Sequence, residues 1–166
     1  MRRFFTAVCV TAMFLFTAMP LAYADEIYAV VPTFEDFPAV TTPVDDLVSP
    51  ILMPGSPFWE FHTAIREGSK ENGVNFDGAF TLVSWGCGTE CQSGVIVDRT
   101  DGKIYGYLPV TSAGYSTTAD SSLLIVNAYI SELATDGVVP DWAWREFWDF
   151  QHGTFHLVYR DKGDVP

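Results

Sequence analysis

The residues best placed to do chemistry are Cys87 and Cys91, set in Trp85-Gly86-Cys87-Gly88-Thr89-Glu90-Cys91-Gln92. Three chemistries suit two thiols at this spacing. A disulfide needs Cα atoms about 4.4 to 6.8 Å apart, which forces the three intervening residues into a tight curl that Gly88 can supply. A redox pair is less well matched, since the spacing is not C-x-x-C and no thioredoxin-like βαβ pattern accompanies it. A metal would need two more ligands, and neither His152 nor His156 stands at a spacing that provides them.

Other chemistry-bearing residues form no complete signature. The histidines are His62, His152 and His156. No G-x-S-x-G, H-E-x-x-H, phosphate-cradling glycine loop or dinucleotide fingerprint occurs, so hydrolase, zinc-protease and nucleotide readings lack support and no cofactor is expected. Asp98-Arg99-Thr100-Asp101-Gly102 lacks the spacing and closing Glu of a calcium loop and reads as a hairpin turn. Carboxylates are abundant, and a general acid/base pair such as Asp77 with Glu90 is open. Trp142, Trp144 and Trp148 read as one face of a strand, mainly core, and a sugar or protein contact surface wherever that face is exposed.

The stretch from Asn75 to Gln92, followed by Val95-Ile96-Val97-Asp98 and Thr100-Asp101-Gly102-Lys103, resembles a group of exported bacterial proteins of unassigned function. They share the glycine-flanked W-G-C-G-x-x-C turn between two strands. Leu123-Leu124-Ile125-Val126-Asn127 and the final aromatic hairpin are also similar, so the likeness spans about residues 75 to 160. In that group a His often stands where this chain has Ala79. The resemblance implies export and a β-rich fold, and it implies no activity.

Export also follows from the first 24 residues. Arg2 and Arg3 precede an apolar run from Phe4 to Met19, and Ala22-Tyr23-Ala24 is the small-x-small pattern of a cleavable signal, with cleavage expected before Asp25. The run is shorter than the ~20 residues of a spanning helix, so no membrane anchor is expected after cleavage. A periplasmic or secreted protein then keeps Cys87 and Cys91 where disulfides persist.

The charge narrows the partners. The full chain carries −12, from nine basic and 21 acidic side chains, and loss of Arg2 and Arg3 makes this −14. Nucleic acid is excluded as a partner, because phosphate binding needs a basic surface. A basic envelope or secreted protein suits the charge.

The elements that must position these residues follow from pattern. Residues 25–57 hold six prolines and no Lys or Arg, and read as an extended acidic arm in which Asp36, Asp45 and Asp46 could face a partner. Apolar residues such as Phe34 and Phe37 suggest that parts of it strap the body. Ser56 as N-cap and Pro57 at the first position predict a helix over 57–70, closed by Asn72-Gly73. Residues 58–166 then form a single β-rich domain. Period-two runs begin at Phe80, Val95, Ile104, Leu123, Trp142 and Phe155, with turns at Thr100-Asp101-Gly102 and His152-Gly153. They predict a mainly β fold: an antiparallel meander of five to six strands with one short helix. The polar stretch from Pro109 to Ser122 is long for a connection of this kind.

The leading functional expectation is a small exported binding protein, such as an inhibitor or immunity-like factor against a basic protein. The alternatives are a carboxylate-based enzyme acting on glycans and a structural component of an envelope assembly. Adjacent carboxyls with raised pKa in a cleft would favour the enzyme, and an acidic or aromatic surface the binder.

Overall fold

A computed structural model describes residues 30–41, 44 and 46–163. The expected signal segment, Asp25 and Asp45 lie outside the described residues. The fold is mainly β and antiparallel, with seven strands and one α-helix. The helix, α1, is His62–Asn72. The strands are β1 (Phe80–Gly88), β2 (Cys91–Asp98), β3 (Ile104–Tyr107), β4 (Tyr115–Ser116), β5 (Leu123–Val126), β6 (Arg145–Gln151) and β7 (Thr154–Asp161).

The strands form antiparallel meanders in two sheets, β1-β2-β3 and β4-β5-β6-β7. Alternation along each strand explains how they stack. Phe80, Leu82 and Ile96 on one face of the first sheet join Leu124, Val126 and Phe150 of the second in a shared core. Val83, Val95 and Val97 on the opposite face pack with Ile65 of α1. Leu123 and Phe147, on the far face of the second sheet, are covered by Phe37, with Phe34 beside it. The layers therefore run α1, first sheet, second sheet, arm. Because residues 80–83 of β1 and all of β5 are covered on both faces, these stretches are nearly continuous apolar runs.

The arm is a strap held by main-chain bonds. Ala39 N–H donates to Asp120 O (2.8 Å), Ser122 N–H to Phe37 O (3.0 Å), Val48 N–H to Arg99 O (2.8 Å) and Ile51 N–H to Gly102 O (2.8 Å). Proline-interrupted chain has no ladder of its own, so its polar groups must be satisfied by the body it crosses.

Two expectations need correction. The helix does not begin at Pro57: a 3-10 turn at Trp59–Phe61 comes first, and α1 starts at His62. Ser56 contributes its carbonyl to Trp59 N–H (3.0 Å) while its hydroxyl has no partner, so it is not a side-chain cap. The aromatic strand begins at Arg145, not Trp142. Ahead of it, Ala143 is buried with Ile130 and Val139 in a small separate cluster, and that packing turns Trp142 outward. The hairpin turn at His152-Gly153 is as expected, with φ of +51° and +81°, the doubly left-handed geometry that suits strand twist.

Candidate functional site

A polar cleft of about 410 Å³ lies between β1-β2 and the chain around β4. From the first sheet Leu82, Ser84 and Gln92 line it; the opposite wall is Ser112, Tyr115, Ser116 and Thr117, with Tyr129 and Glu132 beyond. An adjoining hollow of about 450 Å³ shares Ser84, Gln92 and Ser112 with it and is lined further by Trp85, Gly86, Gly88, Glu90 and Cys91, so the two form neighbouring parts of one groove. Glu132 lines the first part and Glu90 the second, and neither lining holds a Lys, Arg or His.

The opposite wall is fixed by one amide. Asn127 Oδ1 accepts from Thr111 Oγ1 (2.7 Å), Ser112 N–H (2.9 Å) and Ala113 N–H (3.1 Å), while Nδ2 donates to Trp144 O (2.8 Å). Asn127 is itself at φ +52°, a conformation that Asn tolerates better than most residues. Tyr115 Oη donates to Pro109 O (2.6 Å), and burial pushes its pKa well up, so it stays a neutral donor. A wall bonded in this way is preorganised, which reduces the ordering cost of binding.

The cysteine turn forms the cleft's outer end. Cys87 and Cys91 are joined, with Sγ atoms 1.96 Å and Cα atoms 5.1 Å apart. Gly88 is at φ +145° and Glu90 at φ +52°. Gly86 and Gly88 line the cleft beside them. Thiol alkylation of the non-reduced protein should label neither Cys87 nor Cys91, and labelling of both would contradict the pairing. So short a loop contributes only about 2 kcal/mol in the chain-entropy account, so the bond shapes the turn more than it stabilises the fold.

The other sequence-predicted residues are dispersed. Asp36 sits in a 3-10 turn of the strap, where Thr33 N–H and Oγ1 donate to its carboxylate (2.8 and 3.0 Å) and hold its pKa below the ordinary value. Asp46 is exposed. The three tryptophans do not share a strand face. Trp142 is exposed ahead of β6, and Trp144 is half-buried, with Lys162 Nζ 4.3 Å and the Arg160 guanidinium 4.9 Å from its ring. Trp148 is within β6, packs on the shared core and donates its indole N–H to Glu146 (3.1 Å).

Nor do Asp77 and Glu90 meet in the cleft: Glu90 lines it and Asp77 does not. Asp77 is buried beneath the strap, accepts Val40 N–H (2.7 Å) and adopts φ +40°. Burial pushes its carboxyl above the ordinary range; the amides of Val40 and Thr41 partly offset this, and the charge of Asp149 adds to it. The unfolded chain loses this proton at lower pH than the folded one. The contribution of Asp77 to stability is therefore complete below its unfolded pKa and is lost as pH rises through the raised folded value. Asp77→Asn keeps the acceptor for Val40, so the melting-temperature advantage of the parent over this variant should grow as pH falls from neutral toward about 4. An advantage that grows with rising pH would contradict the assignment.

Sequence reasoning did not find the residues from Ser112 to Thr117, Tyr129 or Glu132 as a wall. The available signal was the unusual length of the polar stretch from Pro109. Among the described residues no helix is long and apolar enough to cross a membrane. No protein-family model, curated protein or solved structure matches the chain.

Proposed function

We propose that this chain is an exported binding protein, periplasmic or secreted, which recognises a basic envelope or secreted protein and acts as an inhibitor or immunity-like factor. The observation that carries this reading is the preorganised polar cleft, whose lining has carboxylates at Glu90 and Glu132 and no basic side chain. A Lys or Arg side chain from a partner meets complementary charge there without a competing cation.

The use of the chain's own cations supports the same reading. Arg145 pairs with Asp161 (2.6 Å), Lys162 donates to the carbonyls of Pro140, Asp141 and Ala143, and Arg99 is buried. Arg66, Lys70, Lys103 and Arg160 remain exposed, but 21 acidic side chains outnumber them, and the resulting negative field speeds encounter with positive partners. The carboxyl that is pushed upward, Asp77, lies outside the cleft, which favours binding over acid/base catalysis.

The test is affinity capture from periplasmic extract with the mature protein and with a Glu90→Gln, Glu132→Gln double variant. The parent should retain a basic protein at low salt and release it as salt rises, since screening shortens to about 3 Å at 1 M. The double variant should retain at least about tenfold less, equivalent to about 1.4 kcal/mol. Retention of no basic protein at low salt, or equal retention by both forms, would overturn the reading.

A further inference from the structure

The outer edge of β1 changes character at the cleft. Phe80 N–H donates to Phe76 O (2.9 Å), and Phe80 O accepts Phe76 N–H (3.1 Å). Leu82 N–H donates to Asn75 Oδ1 (2.7 Å), and Leu82 O accepts the amides of Asn72 (3.1 Å) and Asn75 (3.2 Å). The chain therefore covers this edge residue by residue. In an antiparallel strand the main-chain groups of alternate residues point to the same side, so Ser84 and Gly86 present theirs on that edge too. Among the described residues nothing bonds them there. Both are exposed, whereas Phe80 to Val83 are buried.

We infer that the edge of β1 at Ser84 and Gly86 is a docking strand, which pairs with an extended, Lys- or Arg-bearing segment of the partner. This deepens the cationic-partner reading and rests on it. An unpaired edge is a template for strand addition, in which main-chain bonds supply affinity and side-chain seats supply specificity. Ser84 and Gly86 both line the cleft, so a segment paired to them directs one set of alternate side chains along its walls. There Glu90 and Glu132 favour cationic side chains. The far wall is also an edge, since β4 ends the second sheet. A second copy of this chain is disfavoured as occupant, because it would bring the same −12 or stronger charge to an acidic cleft.

The probe is a synthetic peptide of alternating Thr and Lys, about eight residues long to match an ordinary strand. It is compared with a Thr/Glu counterpart and with two versions N-methylated at alternate amides in either register. Binding is measured by calorimetry, and amide hydrogen exchange is read at Ser84 and Gly86. The Thr/Lys peptide should bind and slow exchange at both amides, and the Thr/Glu peptide should not bind. One N-methylated register should lose at least about tenfold in affinity, the loss of about 1.4 kcal/mol of main-chain bonding, while the other keeps it.

Equal effects of both registers, or binding without protection at Ser84 and Gly86, would overturn the docking strand. So would failure of the Thr/Lys peptide to bind while basic proteins are still captured, and in each of these cases the cationic-partner reading survives. Protection of the same amides in a peptide-free dimer would assign the edge to a second copy. Loss of both peptide binding and capture would overturn both readings.

Discussion

Replacing Arg99 with Met is expected to cost about 3 to 5 kcal/mol of stability, because it leaves several buried acceptors without their donor, at about 1 to 3 kcal/mol each. Arg99 is only 5% exposed. Its Nε donates to Val48 O in the strap (2.9 Å), and its Nη1 donates to Ser69 O in α1 (2.5 Å) and to Thr81 Oγ1 in β1 (3.0 Å). One planar guanidinium thus joins three separate segments, and Ser69 O belongs to the helix's C-terminal half, where a positive charge is favoured. Burial lowers its pKa without a carboxylate among these partners. Arg99→Lys should not restore stability, since a single ammonium lacks the fork that reaches acceptors in different directions. Urea unfolding of both variants checks this. A midpoint within error of the parent for Arg99→Lys would contradict the clamp.

Phe150→Ala is the second large loss, at about 3 to 5 kcal/mol for a fully packed aromatic. Its ring lies 5.2 Å from Phe80, 5.5 Å from Phe76, 5.7 Å from Tyr105 and 4.8 Å from Phe155. With Leu124 and Val126 it is one of the side chains through which the second sheet meets the first. A domain of this size has about 5 to 15 kcal/mol in total, so the variant should be partly unfolded near body temperature. Trp144→Ala should cost clearly less. That ring is half-buried, and its cationic neighbours contribute about 0.5 to 1 kcal/mol each at an exposed site. Equal thermal shifts for the two variants would contradict the assignment of the core to Phe150.

The contrast between these aromatics shows what sequence could and could not reveal. Alternation marked β1, while β2 and β5 were legible as continuous apolar runs, because residues 95–97 and Leu123–Val126 are covered on both faces. The His152-Gly153 turn and the cysteine turn were legible because their backbone conformations restrict residue type. Trp-Ala-Trp before β6 mimicked a strand, since a turn that buries Ala143 between two outward tryptophans has the same period. The helix start was misplaced because Ser56 and Pro57 satisfy capping preferences that the 3-10 turn at Trp59–Phe61 does not use.

The cleft was the least legible feature. One wall comes from the β1-β2 hairpin and the other from residues some twenty to forty positions later, on a strand of only two residues, so no local pattern links them. Glu90 and Glu132 are unremarkable among 21 acids until the fold places them in adjoining parts of one groove. The cysteine turn, by contrast, was legible as a motif, although its position at the mouth of the cleft was not.

The most direct test of binding through this cleft is chemical-shift mapping of the isotopically labelled protein at low salt, titrated with the Thr/Lys peptide. The account predicts that the largest amide shifts fall on residues 84–92, 112–117 and 129–132, and that they vanish at high salt. Largest shifts on the strap around Glu35 and Asp36 and on the neighbouring Asp120, with the cleft residues unmoved, would contradict it.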